Sequence, residues 1–137
     1  RAAKLNAAAL VISMEKGDFY SSTGVTLKSL KQTSKEIDLT IQAEAGVQYT
    51  TQFIGTRRGY DATHKPITLA NGTKLRVTHR YSAEVGQVLA SVNGPRARYA
   101  LQGDEIYVRA KIVSSKPQKN GTTPNAQESA WLQPVTP

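Results

Sequence analysis

The chain has 137 residues, of which 39% are hydrophobic and 20% charged, as in a single globular domain rather than a disordered segment. It contains no cysteine, so disulfides, thiolate catalysis and cysteine zinc sites are excluded. The formal net charge is +8, which permits an anionic partner but does not specify one, because a solvated basic surface has the same composition. No apolar run reaches the ~18 residues of a membrane span, so we expect no span.

The first predicted element is a helix over residues ~3–16. The apolar residues of "LNAAALVISM" recur at the spacing of one helical face, and Gly17 stands where the helix would end. This apolar stripe is broad, so we expect the helix to lie on a large surface. The same segment has the basic start and apolar middle of a signal peptide, but Lys4 and Glu15 interrupt it. We therefore interpret Arg1 as the start of a processed chain or of a fragment.

From Ser34 onward the pattern changes to the period of two that is typical of strands. "IDLTI" and "VQYTTQF" both alternate apolar and polar residues, and the "AEAG" between them predicts a hairpin turn. Further alternation in "GQVLASVNGPRARYAL" and "DEIYVRAKIVSS" adds strands, and "AWLQPV" predicts a short final strand or a docking tail. In "DEIYVRAKIVSS" the face predicted to be buried carries Ile106, Val108, Ala110 and Ile112.

The region 59–82 predicts an extra hairpin, because Asn71-Gly72 is a strong turn signal between two alternating runs. His79 shares the apolar face of the second run with Val77 and Tyr81, which favours a core or rim histidine. His64 falls in the predicted loop "RRGYDATHKP". The two histidines lack the spacing of metal ligands, so we predict no metal site and no cofactor in this segment.

The number and spacing of these runs predict an antiparallel, immunoglobulin-like β-sandwich of about seven or eight strands. One N-terminal α-helix precedes the sandwich, so the fold class is mainly β. We place the helix and a junction in residues 1–24 and the sandwich in residues 25–137.

Few residues offer catalytic chemistry. The hydroxyls of Ser21, Ser22 and Thr23 lack the surroundings of an activated nucleophile, and turn hydrogen bonds are the simpler role for them. Asp104 and Glu105 precede a strand and more simply serve a turn than acid–base chemistry. We therefore predict no catalytic residue.

A second interpretation is a basic β-sheet that binds an acidic polysaccharide or nucleic acid. Its candidate anion-binding residues are Arg76, Arg80, Arg109 and Lys111, and the interpretation requires them to converge on one solvent-facing surface. Aromatic residues are 7% of the chain, which disfavours nucleic acid but leaves an acidic sugar or a phosphorylated ligand open. The simpler expectation is that Arg109 pairs with a carboxylate or a carbonyl and that Trp131 is a buried packing anchor.

Three motifs in order resemble the C-terminal end of exported bacterial proteins that carry a polymerase-and-histidinol-phosphatase (PHP) domain. They are "GDFYSSTGV", the strand "GDEIYVRAKIVSS" and the closing "AWLQPV". The matched positions are Gly17, Phe19, Tyr20, Ser22, Gly24, Tyr107, Val108, Arg109, Ala130, Trp131, Gln133 and Pro134.

The resemblance implies that the helix is the last one of an upstream metal-dependent phosphoesterase-like domain. Its divalent metals would be held by H-x-H and D-x-H motifs, which this chain lacks. The chain is then a non-catalytic module of a hydrolase that serves packing, domain docking or substrate positioning, and its location is periplasmic or extracellular. The domain junction consists of Gly17, Phe19, Tyr20, Ser22, Thr23 and Gly24. A third hypothesis lets the hydroxyls of Ser21 to Thr23 reach the parent's metal or phosphate site.

Overall fold

The computed structural model describes residues 4–121 and 123–137, with the exception of the Arg76 side chain. In the described residues one helix, α1 (Ala7–Glu15), precedes ten strands. The strands are β1 (Tyr20–Ser22), β2 (Leu27–Gln32), β3 (Glu36–Ile41), β4 (Tyr49–Arg57), β5 (His64–Thr68), β6 (Lys74–Tyr81), β7 (Gln87–Asn93), β8 (Arg96–Ala100), β9 (Glu105–Pro117) and β10 (Gln127–Leu132).

The chain is mainly β and antiparallel, and it forms the β-sandwich that the alternation predicts. A five-stranded sheet has the order β1-β10-β9-β4-β7, and a three-stranded sheet has the order β2-β3-β8. The core combines apolar side chains from both sheets, with Phe53, Ile37, Leu39, Ile112 and Val108 as its most buried large apolar residues. The alternating residues of β3 and β4 point into this core as expected.

The predicted "AEAG" hairpin is wrong, because β3 and β4 belong to different sheets. Their connection crosses from one layer of the sandwich to the other. Both strands alternate because each faces the same core from its own side, and this pattern is identical to that of two paired strands.

Bulges explain two further departures from the predicted pattern. In β2 the register shifts between Leu27 and Ser29, so its apolar residues do not follow a period of two. In β9 one extra residue lies opposite the Thr56–Arg57 step, and Ile106 is 43% exposed instead of buried. Glu105 takes the inward position that the sequence pattern assigns to Ile106.

The helix is shorter than predicted and is exposed. It begins at Ala7 because the Asn6 side chain accepts a hydrogen bond from the Ala9 amide at 2.8 Å. It ends at Glu15, and the expected stop signal Gly17 follows the C-cap Lys16 with a φ of 69° that suits glycine. Within the described residues α1 does not pack extensively against any strand. The predicted start near residue 3 lies outside the described residues.

The extra hairpin predicted for region 59–82 is confirmed as the β5–β6 pair, a sheet separate from the sandwich. Two expectations about it are wrong. His64 is the first residue of β5 rather than part of a loop. The apolar face of β6 is not a core face, because Val77 is 96% exposed and no second layer of the described chain covers it.

Candidate functional site

The junction hydroxyls hold the entry to the sandwich. Ser22 Oγ donates a hydrogen bond to the Val25 carbonyl at 2.6 Å and accepts one from the Gly24 amide at 3.1 Å. The Thr23 amide donates to the Ser129 carbonyl, and the Ser129 amide donates to Thr23 Oγ1, both at 2.9 Å. The Ser22 bonds close a turn, as expected for this hydroxyl. The Thr23 bonds instead join distant segments and extend the pairing of β1 with β10 beyond Ser22.

The remaining junction residues divide between the sandwich and its surface. The Tyr20 hydroxyl accepts a hydrogen bond from the Leu27 amide at 3.2 Å, and its ring packs against the core. A side chain at Gly24 would crowd Glu128, because a Cβ there would lie 2.2 Å from the Glu128 Cδ. Phe19 is 46% exposed and lines a shallow groove with Leu30 and Gln32. The junction therefore presents the half-exposed Phe19 ring and a groove of mixed polarity beside α1.

The two histidines lie together although they are distant in sequence. The ring centroids of His64 and His79 are 4.6 Å apart, and Tyr81 stands 5.8 Å from His64. A signal for this proximity exists, since the two histidines flank Asn71-Gly72 at equal distances along the chain. Among residues 4–121 and 123–137, no three His, Asp or Glu side chains form a group suited to a metal ion.

The outward face of the five-stranded sheet carries a cluster of one aromatic ring and two cations, Trp131, Arg109 and Lys111. Trp131 is predicted as a packing anchor, but its ring is only partly buried and lies outside the core between the buried Ala130 and Leu132. The Arg109 guanidinium carbon is 4.3 Å from the ring centroid, and the Lys111 ammonium is 5.0 Å from it. Both cations thus rest on the same indole.

The pairing of β9 with β10 creates this cluster. Trp131 lies directly opposite Lys111, and Arg109 is the next outward residue along β9. None of the ion pairs among the described residues includes either cation. The Arg109 Nε is buried and has no hydrogen-bond partner within the described residues. The expected pairing of Arg109 with a carboxylate is therefore absent from the described part of the chain.

The four predicted anion-binding residues are divided between two sheets. Arg109 and Lys111 lie in the five-stranded sheet, whereas Arg76 and Arg80 belong to β6 of the separate hairpin. Arg80 pairs across the hairpin with Lys65, and both line a small surface pocket. The Arg76 side chain lies outside the described residues. The predicted convergence of all four residues on one surface is therefore wrong, and only Arg109 and Lys111 remain together on one sheet.

Glu105 forms a buried hydrogen-bonded network that the sequence pattern does not reveal. Its carboxylate accepts hydrogen bonds from the Tyr99 hydroxyl at 2.7 Å, the Gln102 amide at 3.0 Å and the Gly103 amide at 2.9 Å. Asp104 beside it forms an ion pair with Arg57. These contacts hold the turn before β9, the role expected for Asp104 and Glu105.

The network also shifts two pKa values. Burial raises the pKa of Glu105, but the hydrogen bonds it accepts lower that pKa by more, so the net direction is downward. Burial, together with the hydrogen bond to Glu105, raises the pKa of Tyr99 to about 12. The network therefore favours an ionised Glu105 beside a neutral Tyr99.

Comparison with family models, with curated proteins and with solved structures finds no match to this chain. Among the helical residues that the structure describes, no helix is long and apolar enough to cross a membrane.

Proposed function

We propose that the chain is a non-catalytic β-sandwich module that docks through α1 and Phe19 on a neighbouring domain of the same protein. The exposed apolar helix carries the proposal: Met14 is 65% exposed, and Val11 and Ile12 are each at least half exposed. In accord with the sequence resemblance, the neighbouring domain would be a metal-dependent phosphoesterase-like hydrolase that lies upstream. It would supply the divalent metals and the chemistry.

The energetics of α1 support a covering partner. A nine-residue helix is marginal in water on its own, and its stability normally comes from packing of its apolar side chains. Burial of each large apolar side chain contributes about 1.5–3 kcal/mol. The described strands offer α1 no extensive packing surface, so a second domain is the natural source of that stability.

The geometry of the junction suits such a module. Only Asp18 and Phe19 separate the Gly17 stop from β1, and the Tyr20 ring packs against the sandwich core. A domain resting on α1 would therefore also cover Phe19 and the groove beside Leu30. Through this contact the sandwich would shield an apolar surface of the hydrolase or help to position its substrate.

Amide hydrogen exchange tests the docking. We compare the 137-residue chain with a longer chain that adds ~300 upstream residues, a span that follows from usual domain sizes. We expect the α1 amides to exchange rapidly in the short chain and at least about 100-fold more slowly in the long one, because docking opposes the local unfolding of the helix that exchange requires. Equal exchange in the two chains would contradict the proposal.

Matched substitutions in the longer chain identify the contact. Met14→Ser together with Phe19→Ser should restore rapid exchange in α1, because both side chains belong to the proposed docking surface. Val77→Ser is the control, since Val77 is an equally apolar, 96% exposed residue on the separate hairpin. Loss of protection with the control alone would place the contact elsewhere.

A further inference from the structure

We propose that the outward face of the five-stranded sheet binds an acidic polysaccharide through Arg109 and Lys111, with Trp131 orienting both cations. This site is separate from the docking surface of α1, so either proposal stands without the other. The ligand groups are oxyanions, carboxylate or sulfate, spaced along an extended sugar chain.

Arg109 and Lys111 differ from the ion-paired cations of the described chain in the group that lies beside each positive charge. Lys31 and Arg98 share Glu36, and Lys116 lies close to Glu44 and Glu128. Arg109 and Lys111 instead rest on an aromatic ring and take part in none of the described ion pairs. An indole attracts a cation without using up its charge or its outward N–H groups. Both therefore retain donors for an external oxyanion.

The sheet holds the cluster in position. Arg109 and Lys111 lie on β9, which is paired on one side with β4 and on the other with β10. Trp131 limits the freedom of two long side chains that would otherwise lose conformational entropy when an anion binds.

The shape of the face favours an extended polymer over a small anion. The main surface pockets of the described chain are lined by residues outside this cluster. Polar side chains flank Lys111 and Trp131, with Gln52 opposite Lys111 on β4 and Ser21 opposite Trp131 on β1, whereas Ile54 lies opposite Arg109. Their amide and hydroxyl groups suit the hydroxyls of a sugar. A single-stranded nucleic acid needs free aromatic faces on which bases stack, and this ring already carries two cations.

The test measures binding of the full 137-residue chain to immobilised heparin, a sulfated polymer, and to polygalacturonate, a carboxylated one. The variant R109Q/K111Q should bind at least about ten-fold more weakly, and the slope of log K against log salt should fall by roughly two, one for each lost cation. The control K28Q/R96Q removes the same charge from two exposed residues of the three-stranded sheet and should change affinity by less than about two-fold. W131L keeps the charge and should also weaken binding.

Three outcomes overturn the proposal. Equal weakening by the two double variants would mean that net charge alone drives binding. Tighter binding of single-stranded DNA than of either polysaccharide at the same salt would assign the face to nucleic acid. Absence of binding to both polymers at low salt, with thermal melting showing all variants folded, would leave the cluster without a ligand role. Stronger binding to one of the two polymers identifies the oxyanion.

Discussion

Strands β9 and β6 have similar sequence patterns and opposite environments. Both alternate apolar and basic residues, yet Val108 and Ile112 of β9 are fully buried whereas Val77 of β6 is 96% exposed. The second sheet of the sandwich covers β9, while β6 pairs only with β5 in the described chain. A period of two therefore predicts a strand and its apolar side, but burial depends on whether another layer lies over that side.

The largest effect is expected from a comparison of two side-chain truncations, one in the sandwich core and one on the hairpin. Phe53→Ala should reduce the free energy of unfolding by about 3–5 kcal/mol, because Phe53 is fully buried and stacks on Tyr99. Val77→Ala should change it by less than about 0.5 kcal/mol. Urea denaturation of both variants measures the difference. Similar losses would mean that the hairpin is packed on a core after all.

A smaller effect is expected at Glu105, which the β9 bulge places in the inward position that the sequence pattern assigns to Ile106. Glu105→Gln should cost about 1–3 kcal/mol at neutral pH, because the amide cannot accept all the hydrogen bonds that the buried carboxylate receives from Gln102, Gly103 and Tyr99. Urea denaturation at several pH values measures this cost. The exposed Asp38 provides the control variant D38N.

The pH dependence of that cost has a definite sign. The pKa of Glu105 is lowered in the folded chain, so its stabilising contribution is complete above the unfolded pKa of about 4.3. The contribution is lost as the pH falls through the lower folded pKa. The wild-type advantage over E105Q should therefore shrink in acid, and D38N should not reproduce this trend. An advantage that stays constant from neutral pH into acid would contradict the assignment.

The smallest predicted effect is local to the hairpin. Gly72 has a φ of 81° at the β5–β6 turn, so Gly72→Ala should strain that turn by about 1 kcal/mol. We expect faster amide exchange in β5 and β6 and little change in the global unfolding free energy, because the sandwich does not include this turn. Gly59→Ala is the control, since Gly59 has a similar φ of 78° outside the hairpin. A large loss of global unfolding free energy in G72A would show that the hairpin is coupled to the core, contrary to this expectation.

The fold class, the inward residues of β3 and β4 and the Asn71-Gly72 hairpin follow directly from local patterns. Local patterns fail where strand geometry is irregular or the partner is distant. A bulge between Leu27 and Ser29 lets Leu27 and Leu30 both face the core although they are three positions apart. The sequence of β2 therefore lacks the alternation that predicts a strand. The pairing of β1 with β10 joins segments near opposite ends of the described chain, so no local sequence pattern predicts it.

The candidate site is partly predictable for the same reason. The alternation of residues along β9 is enough to place Arg109 and Lys111 on one side of a strand. Their contact with Trp131 depends on which strand lies beside β9 and in which register. The sequence also assigns Trp131 to the core, because a Trp between Ala130 and Leu132 is typical of an apolar segment, although alternation turns it outward.

The three-residue strand β1 gives the junction a particular mechanical character. Tyr20 pairs with Leu132 at the end of the β1–β10 ladder that is nearest α1, and the segment after β10 stays on the sheet through the pairing of Val135 with Val108. A pull on α1 away from β10 therefore loads the β1–β10 hydrogen bonds one after another, as in a zipper, rather than all at once in shear. The ladder should peel at low force, while the long β4–β9 pairing inside the sheet remains intact. Motion of a domain attached to α1 would then be absorbed by this peeling edge before it reached the core.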